Sequence, residues 1–236
     1  MRQKLASIPA LRRVRNLSRA LRTELQWRSF SQNEYARYIA THDDPWAYAE
    51  TPFTWEKFDA AVELLSSVGR EAHFRRAWEI GCAQGAMTIR VAPICEELLA
   101  VDFVPLAVER ARVRCRECGN VSFATWDLKL DSAPSTFDLI MITDVLSTFG
   151  GRRDVRRARD KLADALALGG YLLYGDYVGE AINRNIQNSW YGRLLLPARA
   201  GKIARVIGAH PALVEVRRRE TERHLLVLFQ KRFDMK

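Results

Sequence analysis

The chain has 236 residues, and 37 Lys and Arg against 28 Asp and Glu give a formal charge of +9. The length fits one domain with an appendage, the 48% hydrophobic content fits a globular protein, and no apolar run approaches the ~20 residues that span a bilayer, which excludes an integral helical membrane protein. Cys82, Cys95, Cys115 and Cys118, with no signal-peptide pattern ahead of them, point to reduced thiols and a cytoplasmic setting rather than a disulfide framework.

Residues 1–40 are expected to form a basic arm. Arg2, Lys4, Arg12, Arg13, Arg15, Arg19, Arg22 and Arg28 stand against Glu24 alone, so residues 1–28 hold +7 and the rest of the chain only +2. A nucleic-acid enzyme needs its basic stripe on the folded body, so a nucleic-acid partner is disfavoured. Leu11, Val14, Leu17, Leu21 and Leu25 recur at helical spacing, with arginines around the rest. Such a helix could pack on the body or on a second subunit, rest on an anionic membrane surface, or be an organelle transit peptide. The segment leaves these open, and the oligomeric state with them.

Residues 41–236 are expected to form one α/β domain. Lys57 to Val68 reads as a helix with Phe58, Ala61, Val62, Leu64 and Leu65 on its buried face and Gly69 at its end. Short apolar runs follow at Ala77–Ile80, Leu98–Val101, Val121–Ala124, Leu139–Ile142 and Tyr171–Tyr174, with helical segments starting at Ala86, Pro105 and Arg152 between them. This alternation predicts a doubly wound, mostly parallel sheet covered on both faces. Leu213–Val216 and Leu225–Phe229 are two further strands. The polar stretch Arg217 to Arg223 between them is too short for a parallel crossover and predicts a closing antiparallel hairpin, giving seven strands.

Chemistry-bearing residues fall at strand ends, where open α/β sheets bind ligands. Glu79-Ile80-Gly81-Cys82-Ala83-Gln84-Gly85 follows the first strand, and Gly81 and Gly85 permit a tight turn with close backbone approach. Ala83 and Ala86 occupy the second and third positions of the dinucleotide G-x-G-x-x-G fingerprint, which disfavours a nicotinamide-dependent oxidoreductase. Asp102 ends the second strand, where a carboxylate can accept both ribose hydroxyls, and Asp127 follows the third, placed for an adenine amine. Either acid could instead only cap a turn.

With Phe137-Asp138-Leu139-Ile140 on the fourth strand and Leu168-Gly169-Gly170-Tyr171-Leu172 entering the fifth, the chain resembles the class I S-adenosylmethionine-dependent methyltransferases from about residue 75 to 231. The resemblance implies a Rossmann-like methyltransferase fold and S-adenosyl-L-methionine as cofactor, with S-adenosyl-L-homocysteine as product. It implies that Glu79, Gly81 and Gly85 back the methionine moiety, Asp102 the ribose and Asp127 the adenine. Cys82, Ala83, Phe103, Leu128 and Thr143, beside these positions, join the expected cofactor set. Many members carry glycine where this chain has Ala83, so the turn should be narrower here. Asp44-Pro45-Trp46, Glu79-Ile80-Gly81-Cys82-Ala83 and Glu222-Arg223-His224 look more specifically like the rhizobial nodulation protein S methyltransferases, which N-methylate the glucosamine end of a deacetylated chitooligosaccharide.

A sulfonium methyl is already electrophilic, so catalysis is mainly alignment and, where needed, removal of a proton. Asp144, in Thr143-Asp144-Val145-Leu146, is the first candidate for orienting or deprotonating an acceptor, and His224 is the second. A loop cap and a strand-rim histidine are their bland alternatives. Asn183, Asn185, Gln187 and Asn188, followed by Trp190 and Tyr191, mix amides with aromatic faces as saccharide sites do; Asp44, Trp46 and Tyr48 are candidates for a lid. Cys115 and Cys118 have metal-like spacing but lack a second pair, so no metal is expected. The expected function is methyl transfer to an amine or hydroxyl of a saccharide or sugar-containing small molecule. Small-molecule O-methylation and a non-catalytic binding module are the alternatives, and the basic arm leaves peripheral membrane contact open.

Overall fold

The computed structural model describes residues 32–45, 52–68, 73–149, 151–178, 199–221 and 223–233. Helices α1 (Gln32–Thr41) and α2 (Pro52–Ser66) precede β1 (Phe74–Ile80), α3 (Thr88–Val91), β2 (Cys95–Asp102), α4 (Pro105–Arg114), β3 (Val121–Thr125) and β4 (Phe137–Thr143). Then come α5 (Arg152–Ala165), β5 (Leu166–Tyr177), α6 (Arg199–Gly208), β6 (Leu213–Glu220) and β7 (His224–Lys231). The sheet has seven strands in the order β3-β2-β1-β4-β5-β7-β6. β1 to β5 are parallel, and β7 pairs antiparallel with both β5 and β6.

The strands alternate because both faces are buried. Trp78, Ile80, Ile140, Ile142, Leu172 and Tyr174 pack against α5 and α6, while Ala77, Leu139, Met141 and Leu173 pack against α2 and α3. Pairing of Ala77 with Leu139 through Ile80 with Ile142 keeps these rows in register. α5 buries Val155, Ala158 and Leu162 and turns Arg152, Arg153, Arg156 and Arg157 outward, the division its periodicity dictates. Asp138, in the Phe137-Asp138 motif, has a structural use: its carboxylate accepts the backbone N–H groups of Arg75 and Arg76 at 2.9 and 3.0 Å and so aligns the start of β1 with β4.

Three expected elements differ. The helix expected from Ala86 is one turn, Thr88–Val91, followed by a 3-10 turn at Ala92–Ile94, because Pro93 interrupts it. The helix expected over Lys57–Val68 runs from Pro52 to Ser66. The polar stretch expected to link the last two strands is mostly strand: β6 continues through Arg217, Arg218, Arg219 and Glu220, leaving a connection of three residues. An edge strand with one flank in solvent tolerates charged residues that no central strand would accept. α1 runs across the expected arm boundary at residue 40 and packs Ile39 against Val104 and Ala107, so residues 32–41 lie on the sheet domain. The leucine stripe of residues 11–25 lies outside the described residues.

Candidate active site

Strand order reverses at β1, with β2 on one side and β4 on the other, and such a switch opens a crevice beyond the carboxyl ends of the strands. The loop after β1 begins there. Gly81 and Cys82 both donate their backbone N–H to the Val101 carbonyl, at 2.8 and 2.9 Å, which turns the chain sharply over β2. Gly81, Ala83 and Gly85 have φ of +81°, +47° and +79°, so three alternate residues occupy the left-handed region. For the glycines this costs little; Ala83 holds its conformation against its Cβ.

Asp102, only 3% exposed, explains how. Its Oδ2 accepts the Ala83 N–H and its Oδ1 the Val104 N–H, each at 3.0 Å, so one carboxylate fixes the loop after β1 to the turn before α4. An ionised carboxylate offers about four lone-pair positions; the Phe103 backbone is a third donor to it, which leaves one position for a ligand hydroxyl. Burial raises the Asp102 pKa to about 6, although the backbone donors oppose the shift. Glu79 is buried beneath the loop and accepts the Thr88 hydroxyl at 2.6 Å; burial raises its pKa to about 7.

A cavity of about 350 Å³ opens next to Asp102 between the ends of β2 and β3 and is lined by Ala36, Phe103, Pro105, Trp126, Asp127 and Leu130 among others. Phe103 lies against Tyr35 with ring centroids 5.1 Å apart, so α1 forms one wall. Asp127 Oδ1 accepts the Lys129 N–H at 2.7 Å, the turn-capping contact that its type allows, while the residue also lines the cavity. Leu128 and Cys82 point their side chains into the core. α1 is strapped to the loop: Gln84 Nε2 donates to the Asp43 carbonyl at 2.8 Å, and Arg110 Nη1 to the Ile39 and His42 carbonyls at 3.0 and 2.8 Å.

A second cluster lies beyond β4, β5 and β7. Thr143 ends β4 opposite Gly175, and Asp144 follows in the left-handed region with φ +57°, its N–H bonded to the Gly175 carbonyl at 2.9 Å. Lys57 Nζ donates to Asp144 Oδ2 in an ion pair whose lysine is 4% exposed. Burial alone would lower the Lys57 pKa, but Asp144, Tyr177 and Asp176 together raise it, so the ammonium is held. Asp176 accepts the Tyr177 N–H at 2.9 Å and the Tyr174 hydroxyl at 3.2 Å, and its pKa rises to about 7 through burial and then Asp144. His224 opens β7 with its ring 4.5 Å from that of Tyr177. Burial, then the charges of Lys57 and Arg223, lower its pKa to about 3, which leaves a neutral imidazole that takes protons poorly near pH 7. That environment does not suit the base role expected of His224.

Thus Glu79, Gly81, Cys82, Ala83, Gly85, Asp102, Phe103, Asp127 and Leu128 gather around the first loop and its cavity, and Thr143, Asp144 and His224 around the second cluster. Asp43 and Asp44 lie at the end of the α1 strap. Trp46, Tyr48, Asn185, Trp190 and Tyr191 lie outside the described residues. Lys57 and Asp176 were missed. Lys57 falls in the same helical row as Ala61, Leu64 and Leu65, and a charge on a buried stripe is the signal that could have found it. Among the described residues no three His, Cys, Asp or Glu gather as a metal site, and no helix is long and apolar enough to cross a membrane.

The chain is similar to nodulation protein S of Rhizobium tropici, 37% identical over 133 residues that cover 56% of this chain and 55% of the relative. It is 32% identical over 142 residues to nodulation protein S of Bradyrhizobium diazoefficiens, covering 60% of this chain and 66% of that one. The matches therefore span between 55% and 66% of the length of these curated relatives. The crystal structure of the N-methyltransferase NodS from Bradyrhizobium japonicum WM9 in complex with S-adenosyl-L-homocysteine superimposes with a TM-score of 0.69 at 29% identity, over 84% of this chain and 97% of that chain. The family model for nodulation protein S matches residues 31–197, and the chain belongs to that family.

Proposed function

We propose that this chain is an S-adenosylmethionine-dependent methyltransferase that N-methylates an amino sugar, the glucosamine end of a deacetylated chitooligosaccharide being the acceptor that the family resemblance implies. The observation that carries the reading is Asp102: a buried carboxylate that braces the glycine loop and keeps acceptor capacity beside a cavity of nucleoside size. The SAH-bound relative supports the choice of cofactor.

The residues present fit that group. Gly81 and Gly85 offer backbone without side chains, Asp102 suits a ribose hydroxyl, and Phe103 and Asp127 offer an aromatic face and an acceptor for an adenine amine. When bound, S-adenosylmethionine supplies an electrophilic methyl on sulfur. The chain's own residues then have to orient an acceptor, exclude water and hold its amine as the free base with the lone pair aimed at the reacting carbon. Asp144 is the acceptor-facing group in this reading, and His224 packs behind it as a neutral ring.

The test is direct. Labelled S-adenosylmethionine is incubated with the protein and a panel of deacetylated chitooligosaccharides, aminosugars, their N-acetylated forms and phenolic metabolites. Transfer is expected to the free-amine sugars alone; transfer confined to phenolics would replace this reading with O-methylation.

A further inference from the structure

Lys57 belongs to α2, outside every motif of the methyltransferase loops, yet it is the cation that meets Asp144. The neighbouring Asp176 does not compete for it by hydrogen bonding: its oxygens receive the Tyr177 N–H and the Tyr174 hydroxyl from its own strand. Asp144 Oδ1, by contrast, is a buried acceptor with no hydrogen-bond partner among the described residues. A buried carboxylate oxygen left unmet costs stability and calls for an explanation. The backbone adds a second indication. Asp144 holds a left-handed conformation and is tied by its N–H to Gly175, so the direction of its side chain is fixed from both ends.

Resting on the methyl-transfer reading above, we propose that Lys57 is a positioning residue of the acceptor site: it pins Oδ2 of Asp144 so that Oδ1 receives an N–H of an amine acceptor. The amine meets Oδ1 as its free base: one N–H donates to the carboxylate, which aims the nitrogen lone pair, and the proton of the alkylammonium formed by methylation leaves to solvent. The chemistry selects amines. A carboxylate is far too weak a base to deprotonate an alcohol, whereas the free base of an amine already has its lone pair and needs only to be oriented. The groups facing this pair are Tyr174, Asp176 and Tyr177 from β5, His224 from β7 and, facing Asp176, Arg199 from α6. His224 is neutral; Lys57 is the cation bonded to Asp144, Arg199 a cation facing Asp176, and Arg223 a cation facing His224.

A double-mutant cycle with Lys57→Met and Asp144→Asn decides this. S-adenosylhomocysteine affinity is measured by calorimetry, and single-turnover rates are measured on a chitooligosaccharide deacetylated at its terminal glucosamine. Each single variant is expected to bind S-adenosylhomocysteine within about threefold of the parent chain and to lose about 100-fold in rate. In the Asp144→Asn background, Lys57→Met should cost nothing further. If Lys57→Met alone does not fold, the double variant still does the job, because it removes both buried charges together. A further loss of about tenfold in that background, or a Lys57→Met rate within about threefold of the parent, would show that Lys57 is merely structural. A parent chain that binds S-adenosylhomocysteine but methylates no amine would overturn both this inference and the methyl-transfer reading. An active parent with additive variants overturns the inference alone.

Discussion

Val145 occupies the space in which Gly81 would carry a side chain: a Cβ on Gly81 would lie 2.3 Å from Val145 Cγ2. The contact locks the turn after β4, which carries Asp144, to the loop after β1, which opens the crevice at the strand ends. The two halves of the site are thus held at a fixed distance by one missing methyl group. Gly81→Ala should destabilise the protein by roughly 2 to 4 kcal/mol, combining overpacking with a positive φ. Val145→Ala should recover part of that loss in a thermal-unfolding cycle; strictly additive effects would show that the two residues are not coupled.

Asp102 should make cofactor affinity depend on pH. Its pKa is about 6 because burial penalises the charge, and hydroxyl donors prefer the ionised form. S-adenosylhomocysteine binding followed by calorimetry should therefore weaken as pH falls through about 6. Asp102→Asn should weaken it at least about 100-fold and remove the Asp102 contribution to that dependence, since an amide nitrogen faces the Ala83 or Val104 N–H as donor against donor.

Glu79 carries the opposite sign for stability. A carboxyl whose folded pKa is raised from 4.5 to about 7 binds its proton more tightly when folded, so stability falls as pH rises through that window and stays lower above it. Glu79→Gln keeps an acceptor for Thr88 and removes the buried charge. At pH 8 the variant should be more stable than the parent by about 1 to 3 kcal/mol, and near pH 4.5 the two should converge. Denaturant midpoints at the two pH values measure this; a constant offset would mean that burial of the charge is not the cause.

Ala83 holds φ at +47° with a Cβ. Ala83→Gly should relieve about 1 kcal/mol of backbone strain, partly offset by the freer unfolded chain, and leave the melting temperature level or slightly higher. A clear drop in melting temperature would show that the methyl group packs productively.

Arg110 holds α1 on the domain through two carbonyls and stands 3.6 Å from the Asp43 carboxylate. Since α1 supplies Ala36 to the cavity wall, Arg110→Ala should expose residues 32–45 to limited proteolysis and weaken S-adenosylhomocysteine about tenfold. Unchanged cleavage would mean that Ile39, Tyr35 and the Gln84 contact anchor the helix without Arg110.

The strands could be read from the sequence because a sheet buried on both faces writes itself as short apolar runs, and Leu139–Ile142 or Leu225–Phe229 admit little else. Gly81, Gly85 and Asp102 were legible for a related reason: a tight turn and a strand-end acid are local requirements. β6 was misjudged at Arg217–Glu220 because an edge strand has no such requirement on its outer side. His224 looked like a base because residue type is local, whereas its pKa of about 3 comes from burial beside Lys57, a residue 167 positions away in the chain.

The +9 charge, partitioned to +7 in residues 1–28, was fixed by composition and already placed the basicity away from the rest of the chain. Hydrophobic period and turn residues likewise determined the doubly wound sheet and the loop that opens the crevice at the strand ends, since both depend on neighbours within a few positions. Only tertiary structure decided that Lys57 meets Asp144, that Asp102 spans two loops, and that Val145 fills the void above Gly81. Each of these joins segments far apart in sequence, and a contact made by folding leaves no periodicity behind for a local pattern to reveal.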